Sequence, residues 1–168
     1  MQDLKQFVVD IPDFPQPGIL FRDISPLLRR HFAATIESIE RLFSEAEWDA
    51  VDAVAGIESR GFILASALAE RRGKGFVPIR KKGKLPPPVV DIAYDLEYGT
   101  GVLEMQAGQG RLLLVDDVLA TGGTLAASMV LSRQAGYVVQ GIGVLIDIGI
   151  APGFRCEDQA PRIVLQYG

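Results

Sequence analysis

The chain has 168 residues, of which 48% are hydrophobic, and its formal net charge is −4. This length and composition predict one domain with a packed core, and no apolar run approaches the ~20 residues of a membrane-spanning helix. The negative charge argues against a general nucleic-acid binder, which needs an extended cationic surface. Because the N-terminus shows no basic-then-apolar leader, we expect a cytoplasmic protein without membrane or nucleic-acid partners.

Taken in chain order, the sequence alternates strand and helix patterns. Helical spacing of apolar residues over 32–47 predicts an amphipathic helix, with Trp48 anchoring its end in the core. Further strands are predicted at 51–57, 76–79, 112–115 and 137–146, and further helices at 62–72 and 125–134. This alternation predicts an α/β fold with a mainly parallel twisted sheet and helices on both faces. Residues 91–105 instead indicate two extended arms around glycines, a hairpin flap rather than a core element.

The most informative segment is 112–124, LLLVDDVLATGGT. Its apolar run predicts a buried strand that ends at Asp116 and Asp117, at the sheet edge where open α/β proteins bind ligands. The small residues that follow can close backbone N–H groups around a phosphate at a helix N-terminus. A solvated strand end explains most acid pairs taken alone, but an acid pair beside such a nest suits a phosphorylated sugar.

The whole segment resembles the phosphoribosyl pyrophosphate (PRPP) motif of the type I phosphoribosyltransferases, and in detail that of the adenine phosphoribosyltransferases. The resemblance implies the type I phosphoribosyltransferase fold as one domain, 1–168. It also implies a base-binding hood (about 1–30) and a flexible catalytic flap (about 91–105). The residues it implies for the ribose and the 5′-phosphate are Asp116, Asp117, Ala120, Thr121, Gly122, Gly123 and Thr124.

Near the N-terminus, residues 14–24, FPQPGILFRDI, match the hood of this family. The resemblance implies that Phe21 packs on the purine ring and that backbone groups of Leu20 and Arg22 bind its edge. An aromatic face and an amide pair suit a planar base. The alternative is a Pro-rich surface turn with Phe21 filling the core.

Two segments match the pyrophosphate-binding parts of the family. Residues 56–62, GIESRGF, resemble its pyrophosphate loop, which implies a cis Glu58–Ser59 peptide bond. Residues 80–86, RKKGKLP, resemble a second clamp that reaches across a dimer interface; the alternatives are a solvated loop or a nucleic-acid patch. The implied pyrophosphate-binding residues are Glu58, Ser59, Arg60, Arg80, Lys81 and Lys84.

Within the flap, residues 94–99, YDLEYG, resemble the family's catalytic loop. Glu97 is then the acid/base group that exchanges a proton with the purine, and Tyr98 belongs to the flap. A closing flap also excludes water from a reactive ribosyl centre. The family further implies a homodimer and Mg²⁺ held mainly by PRPP and water, with no direct protein ligand.

The function implied is transfer of the phosphoribosyl group of PRPP to adenine, giving AMP and diphosphate, in purine salvage. Two alternatives stay open: the same reaction on xanthine, hypoxanthine or guanine, and a non-catalytic PRPP-sensing regulator. The chain also departs from the family pattern. Its 106–110 link is shorter and 148–161 shows little similarity, although 164–167 resembles the family's terminal strand.

Overall fold

A computed structural model, which describes residues 3–96 and 99–167, confirms the alternation of strands and helices. The strands are β1 (Val9–Pro12), β2 (Leu20–Asp23), β3 (Ala53–Ile57), β4 (Gly75–Lys81), β5 (Val89–Leu96), β6 (Gly99–Gln106), β7 (Gly110–Leu119), β8 (Tyr137–Asp147) and β9 (Arg162–Gln166). The helices are α1 (Ser25–Arg30), α2 (Phe32–Glu40), α3 (Glu45–Asp49), α4 (Arg60–Arg71) and α5 (Gly123–Gln134). No helix among these residues is long and apolar enough to cross a membrane.

Seven of the described strands form one sheet, in the order β5-β6-β4-β3-β7-β8-β9. The strands from β4 to β9 in this order are parallel, and the antiparallel β5–β6 hairpin joins β4 at one side. On one face, Leu113 and Val115 of β7 pack in a core with α2 and α4, while Leu112 and Leu114 pack with α5 on the other. The mainly parallel α/β fold with helices on both faces is therefore confirmed.

Strand β7 is longer than the sequence pattern predicts. It continues to Leu119, and Asp116 pairs with Val144 of β8, so the two acids lie inside the strand rather than at its end. The prediction that the strand ends at Asp116 is therefore wrong. The reason is that β8 runs alongside as far as Asp147, so backbone pairing holds the extended conformation past the apolar run.

The helix predicted over 32–47 is two helices, α2 and α3, separated by a turn. Ser44 starts α3 with a capping box. Its hydroxyl accepts the Glu47 N–H at 3.3 Å, and the Glu47 carboxylate accepts the Ser44 N–H at 2.8 Å. This local cap competes with continuation of α2. Trp48 is 1% exposed, which confirms the predicted core anchor.

The hairpin predicted over 91–105 is confirmed as β5 and β6, paired from Val89–Gln106 to Leu96–Gly99. Its base is nevertheless part of the core, because Leu103 and Met105 are buried against residues of β4 and β7. The expectation that the whole hairpin lies outside the core is therefore wrong.

In the predicted hood, β1 and β2 form a separate two-stranded antiparallel sheet. Arg22 fastens this small sheet to the rest of the fold. Its guanidinium pairs with Asp10 across the strands and lies 4.2 Å from the centre of the Tyr167 ring, just after β9. A cation over an aromatic face adds attraction to apolar contact. The hood is thereby held beside the carboxyl ends of the parallel strands.

Candidate functional site

A cavity of about 470 Å³ opens between the hood and the carboxyl ends of β7 and β8. Its walls come from three separate parts of the sequence. The lining residues are Gly18, Ile19, Leu20 and Arg22 of the hood, Ala120 and Thr121 after β7, and Ile148 and Ile150 after β8. The structure thus brings residues predicted to bind the base together with residues predicted to bind the 5′-phosphate.

Phe21 lies between two cavity-lining residues in the sequence, Leu20 and Arg22, but is not itself among the residues that line the cavity. Alternation along β2 places its ring on the opposite side of the strand from Leu20 and Arg22. The Phe21 ring centre lies 5.1 Å from that of Phe14 and 5.0 Å from the guanidinium carbon of Arg60. Its predicted contact with the purine ring stays a prediction.

The phosphate loop, residues 120–124, connects β7 to α5. Gly122 caps the helix with φ +88°, a left-handed conformation that favours glycine. Residues around this turn, from Val118 to Gly122 together with Thr124 and Leu125, line a small cavity of about 60 Å³. Unpaired N–H groups and the helix dipole suit a helix N-terminus of this kind to an anionic ligand.

The two acids of β7 are tied to the start of α4. Asp116 and Asp117 are 7% and 8% exposed, and the Asp117 N–H donates to the Asp116 carboxylate at 2.9 Å. Arg60 Nε lies 2.6 Å from Asp117 Oδ2. This contact is an ion pair without hydrogen-bond alignment, because Oδ2 has no hydrogen-bond donor among the described residues. Oδ2 is therefore paired with the charge of Arg60 but accepts no hydrogen bond from the described residues.

The pKa of Asp116 depends on its burial and on its neighbour. Burial raises the pKa of Asp116 well above its ordinary value of 3.8, and the neighbouring charge of Asp117 raises it further. Gly61 allows this close packing, since a Cβ there would lie 2.9 Å from Asp116 Oδ1. The start of α4 therefore lies close enough to β7 for Arg60, the first residue of α4, to pair with Asp117 of β7.

In the pyrophosphate loop, the Glu58–Ser59 peptide bond is cis, as predicted. The Glu58 carboxylate accepts the Lys81 N–H at 3.0 Å and the Arg80 Nε–H at 3.3 Å, and it pairs with the Lys84 ammonium. Burial raises the pKa of Glu58, but hydrogen bonds from Lys84, Lys81 and Arg80 outweigh burial, so the pKa lies below its ordinary value. Glu58 is thus a counter-ion for the basic segment.

The comparisons with known proteins agree with this geometry. A family model described as phosphoribosyl transferase domain matches residues 28–153. The adenine phosphoribosyltransferase of Hydrogenovibrio crunogenus is 49% identical over 165 residues, covering 98% of this chain and 96% of that protein. The chain belongs to the adenine phosphoribosyltransferase family.

Solved structures of this family have the same fold. The adenine phosphoribosyltransferase of Rhodothermus marinus is 43% identical, with a TM-score of 0.83 over 97% of this chain and 96% of that one. The Saccharomyces cerevisiae enzyme, complexed with an imino-altritol bisphosphate and adenine, is 33% identical, with a TM-score of 0.90 over 98% and 97%. The predicted type I phosphoribosyltransferase fold is confirmed.

Two of the predicted site residues, Glu97 and Tyr98, lie between β5 and β6 in the sequence, outside the described residues. The neighbouring part of the flap is close to the phosphate loop, because a Cβ on Gly123 would lie 3.2 Å from the Asp95 carbonyl oxygen. The hairpin therefore approaches the site from the side of α5.

Sequence reasoning missed three apolar residues in the segment with little family similarity, 148–161. Ile148 and Ile150 line the cavity, and a Cβ on Gly122 would lie 2.1 Å from the Phe154 ring. The signal was present in the alternation of Ile148 and Ile150 directly after β8. The segment after β8 therefore forms part of the cavity wall.

A buried carboxylate, Glu104 of β6, was also missed. It stands as a charged residue within an otherwise apolar run over 102–105, VLEM, which was the available signal. Its carboxylate accepts N–H groups of the basic loop, residues 80–86. The basic loop is thus bonded to two carboxylates, Glu104 and Glu58.

Proposed function

We propose that this protein transfers the phosphoribosyl group of PRPP to adenine, giving AMP and diphosphate in purine salvage. The observation that carries this proposal is the cavity that joins the hood to the phosphate loop. Its walls include Leu20 and Arg22, which would bind the edge of the base, and Ala120 and Thr121, which would bind the 5′-phosphate. The names of relatives such as the Hydrogenovibrio crunogenus protein support the choice of adenine.

In this reaction the phosphate loop would hold the 5′-phosphate through Ala120, Thr121, Gly122, Gly123 and Thr124. Asp116 and Asp117 would accept hydrogen bonds from the ribose hydroxyls. Asp117 Oδ2, which pairs with Arg60 but accepts no hydrogen bond from the described residues, suits such a donor. With the ribose bound in this way, both acids would lie near the ribose carbon, where positive charge develops as the diphosphate departs.

The diphosphate would bind the cations beside Asp117. Arg60 presents a planar fork suited to several phosphate oxygens. The basic loop of the neighbouring subunit would add the charge of Arg80, Lys81 and Lys84, while Ser59 contributes at the turn before α4. Because Glu58 pairs with Arg80 and Lys84, diphosphate binding would exchange one anionic partner for another.

At the base end, backbone groups of Leu20 and Arg22 would bind the edge of adenine and Phe21 would pack on its ring. Bond formation joins adenine N9 to the ribose carbon as the bond from that carbon to the diphosphate oxygen breaks. The proton that adenine loses passes from N7 to Glu97. Tyr98 would close with the flap, which excludes water from the reacting carbon.

Magnesium fits the chemistry of this donor set. Mg²⁺ usually binds substrate phosphates and water together with at most one or two carboxylates. It would be held mainly by PRPP and water, beside Asp116 and Asp117, and would supply charge neutralisation for the departing diphosphate. No group of three metal-binding side chains occurs within residues 3–96 and 99–167.

The working unit would be one catalytic domain, 1–168, assembled as a cytoplasmic homodimer whose basic loops reach the neighbouring site. A mixed dimer of Arg80→Ala and Glu97→Gln subunits tests this arrangement. If Arg80 serves the neighbour, one site keeps both groups and about half of normal activity returns. If mixing restores nothing while native mass spectrometry confirms subunit exchange, the shared site is refuted.

The experiment that tests the function is a substrate screen with purified protein, PRPP and Mg²⁺. Each of adenine, hypoxanthine, guanine and xanthine is offered separately, and nucleotide and diphosphate are measured. We expect nucleotide formation with adenine to be about tenfold or more faster than with the other bases, because the wrong purine leaves edge hydrogen bonds unpaired. Equal turnover of another base would refute adenine specificity, and PRPP binding without turnover would favour a regulator.

A further inference from the structure

Glu104 is a buried carboxylate that the proposed reaction does not use. It lies on β6 opposite Arg80 of β4 and is 3% exposed. Its two oxygens accept three consecutive backbone N–H groups, from Gly83 at 2.9 Å and from Lys84 and Leu85 at 2.7 Å each. The basic loop is therefore folded around one charged side chain.

Burying a carboxylate is unfavourable unless its oxygens are hydrogen-bonded. Three charge-assisted bonds to backbone N–H groups provide that compensation, in the manner of an anion nest. Gly83 makes the nest possible, because its φ of +87° lies in the left-handed region that favours glycine. The conformation of the loop and the charge of Glu104 thus depend on each other.

The loop conformation in turn determines where its cations lie. Lys84, whose N–H binds Glu104, directs its ammonium to Glu58 in the pyrophosphate loop. Arg80 reaches the same Glu58 carboxylate from the end of β4. The two cations therefore converge on the turn that leads into Arg60.

We propose that Glu104 is a positioning residue for pyrophosphate recognition: by fixing the backbone of residues 83–85, it places the cations of the basic loop for the diphosphate of PRPP. This inference rests on the proposed function. Glu104 touches no substrate in this role and acts through the loop. A merely structural role would instead affect folding and both substrates alike.

The test compares Glu104→Gln with wild type. The amide keeps the shape of the side chain, but its NH₂ end cannot accept a backbone N–H. We expect the KM for PRPP and the dissociation constant of diphosphate to rise about tenfold or more, since bonds to a charged acceptor are lost. The KM for adenine at saturating PRPP stays within about twofold. Glu37→Gln, which removes an exposed charge on α2, is the matched control and leaves every value unchanged.

Gly83→Ala provides a second variant that leaves the buried carboxylate intact. A Cβ there has open space, so the substitution strains the loop without a clash. We expect a rise of about threefold in the same two constants. Amide hydrogen exchange reads the loop without any turnover: the Gly83, Lys84 and Leu85 amides exchange faster in Glu104→Gln.

The proposal is overturned if Glu104→Gln binds diphosphate as wild type does, or if the KM for both substrates rises equally. It is equally overturned if diphosphate affinity falls while exchange of the three amides is unchanged, since the loop is then not the intermediary. Failure of the proposed function has a different signature, the absence of adenine turnover in the wild-type protein.

Discussion

The site contains two regions suited to phosphates, and they are built in opposite ways. The phosphate loop, 120–124, consists of small residues at the start of α5 and offers backbone N–H groups without a charged side chain. The pyrophosphate region combines Arg60 with the basic loop and pairs these cations with Asp117 and Glu58. Backbone donors need no counter-ion before the ligand arrives, whereas clustered cations do.

Because of this difference, the two regions should be sensitive to different substitutions. The phosphate loop depends on backbone conformation, so adding a single methyl group at a glycine should be the most damaging change there. The pyrophosphate region depends on a balance of charges, so substitutions that keep shape but change charge are the most damaging there. The predictions below test this contrast, from the largest expected effect to the smallest.

Neither phosphate region carries the proton transfer, which we assign to Glu97. Glu97→Gln should lower turnover by roughly 10² to 10⁴, the usual contribution of a positioned acid/base group, with PRPP affinity unchanged. Single-turnover kinetics measure the chemical step apart from product release. Near wild-type rates would show that Glu97 is not the acid/base group and that a residue of one of the two phosphate-binding regions takes the proton.

Gly122→Ala should disrupt the phosphate loop. The new Cβ would occupy a left-handed conformation and overlap the Phe154 ring, so we expect a loss of about 2–4 kcal/mol in the free energy of unfolding. Gly73→Ala is the matched control, because its φ is +61° but nothing lies within 4 Å. Denaturant unfolding should show a smaller loss in the control, about 1 kcal/mol.

Adding Phe154→Ala to Gly122→Ala separates strain from overlap. Removing the ring should restore part of the stability lost by Gly122→Ala, so the double variant loses less than the sum of the single variants. Strict additivity would show that Phe154 does not confine the loop.

Arg60→Lys keeps the charge of the pyrophosphate region but removes the planar fork. We expect the KM for PRPP to rise about tenfold, because a single ammonium replaces several directed donors. The KM for adenine should change little. Arg41→Lys, on an exposed pair with Glu37, is the control. An unchanged KM for PRPP would mean that charge alone, without geometry, accounts for this region.

The smallest effects are changes of stability with pH, and these changes should have opposite signs for the two buried carboxylates Asp116 and Glu104. Since the pKa of Asp116 is raised in the folded protein, its contribution to stability is lost as pH rises above 3.8 toward the raised pKa. Asp116→Asn should therefore gain stability relative to wild type across that window. The pKa of Glu104 is lowered, chiefly by the Gly83 N–H, so wild type should lose its advantage over Glu104→Gln as pH falls below 4.5.

Urea unfolding at a series of pH values measures both differences. Slopes of the same sign for the two variants would contradict the contrast between a burial-dominated and a hydrogen-bond-dominated carboxylate.

Much of the fold follows from local patterns. The apolar run at 112–115 and the small residues after it identify β7 and its loop because short buried strands and helix N-termini have local signatures. The extension of β7 through Asp116 does not, since it depends on pairing with β8, which is distant in sequence. The break near Ser44 had a local signal, the capping box, which helical periodicity outweighed.

The candidate site divides in the same manner. Residues that match a family motif, such as Arg60 and Thr121, could be named from the sequence. Contacts that depend on tertiary packing could not: the bonds from Glu104 to the basic loop, and the position of Phe154 beside Gly122. The contact of Phe21 with the purine ring stays a prediction, because the side that its ring faces depends on the alternation along β2 and on packing beside Phe14 and Arg60.

The most direct test of the account is a crystal structure with adenine and a stable PRPP analogue bound. We predict the 5′-phosphate on the N–H groups of 121–124, the ribose hydroxyls on Asp116 and Asp117, and the diphosphate at Arg60. Adenine should lie against the hood, with its edge on the backbone groups of Leu20 and Arg22 and its ring on Phe21. A base bound away from the hood, or a 5′-phosphate held by the basic loop instead of 121–124, would contradict it.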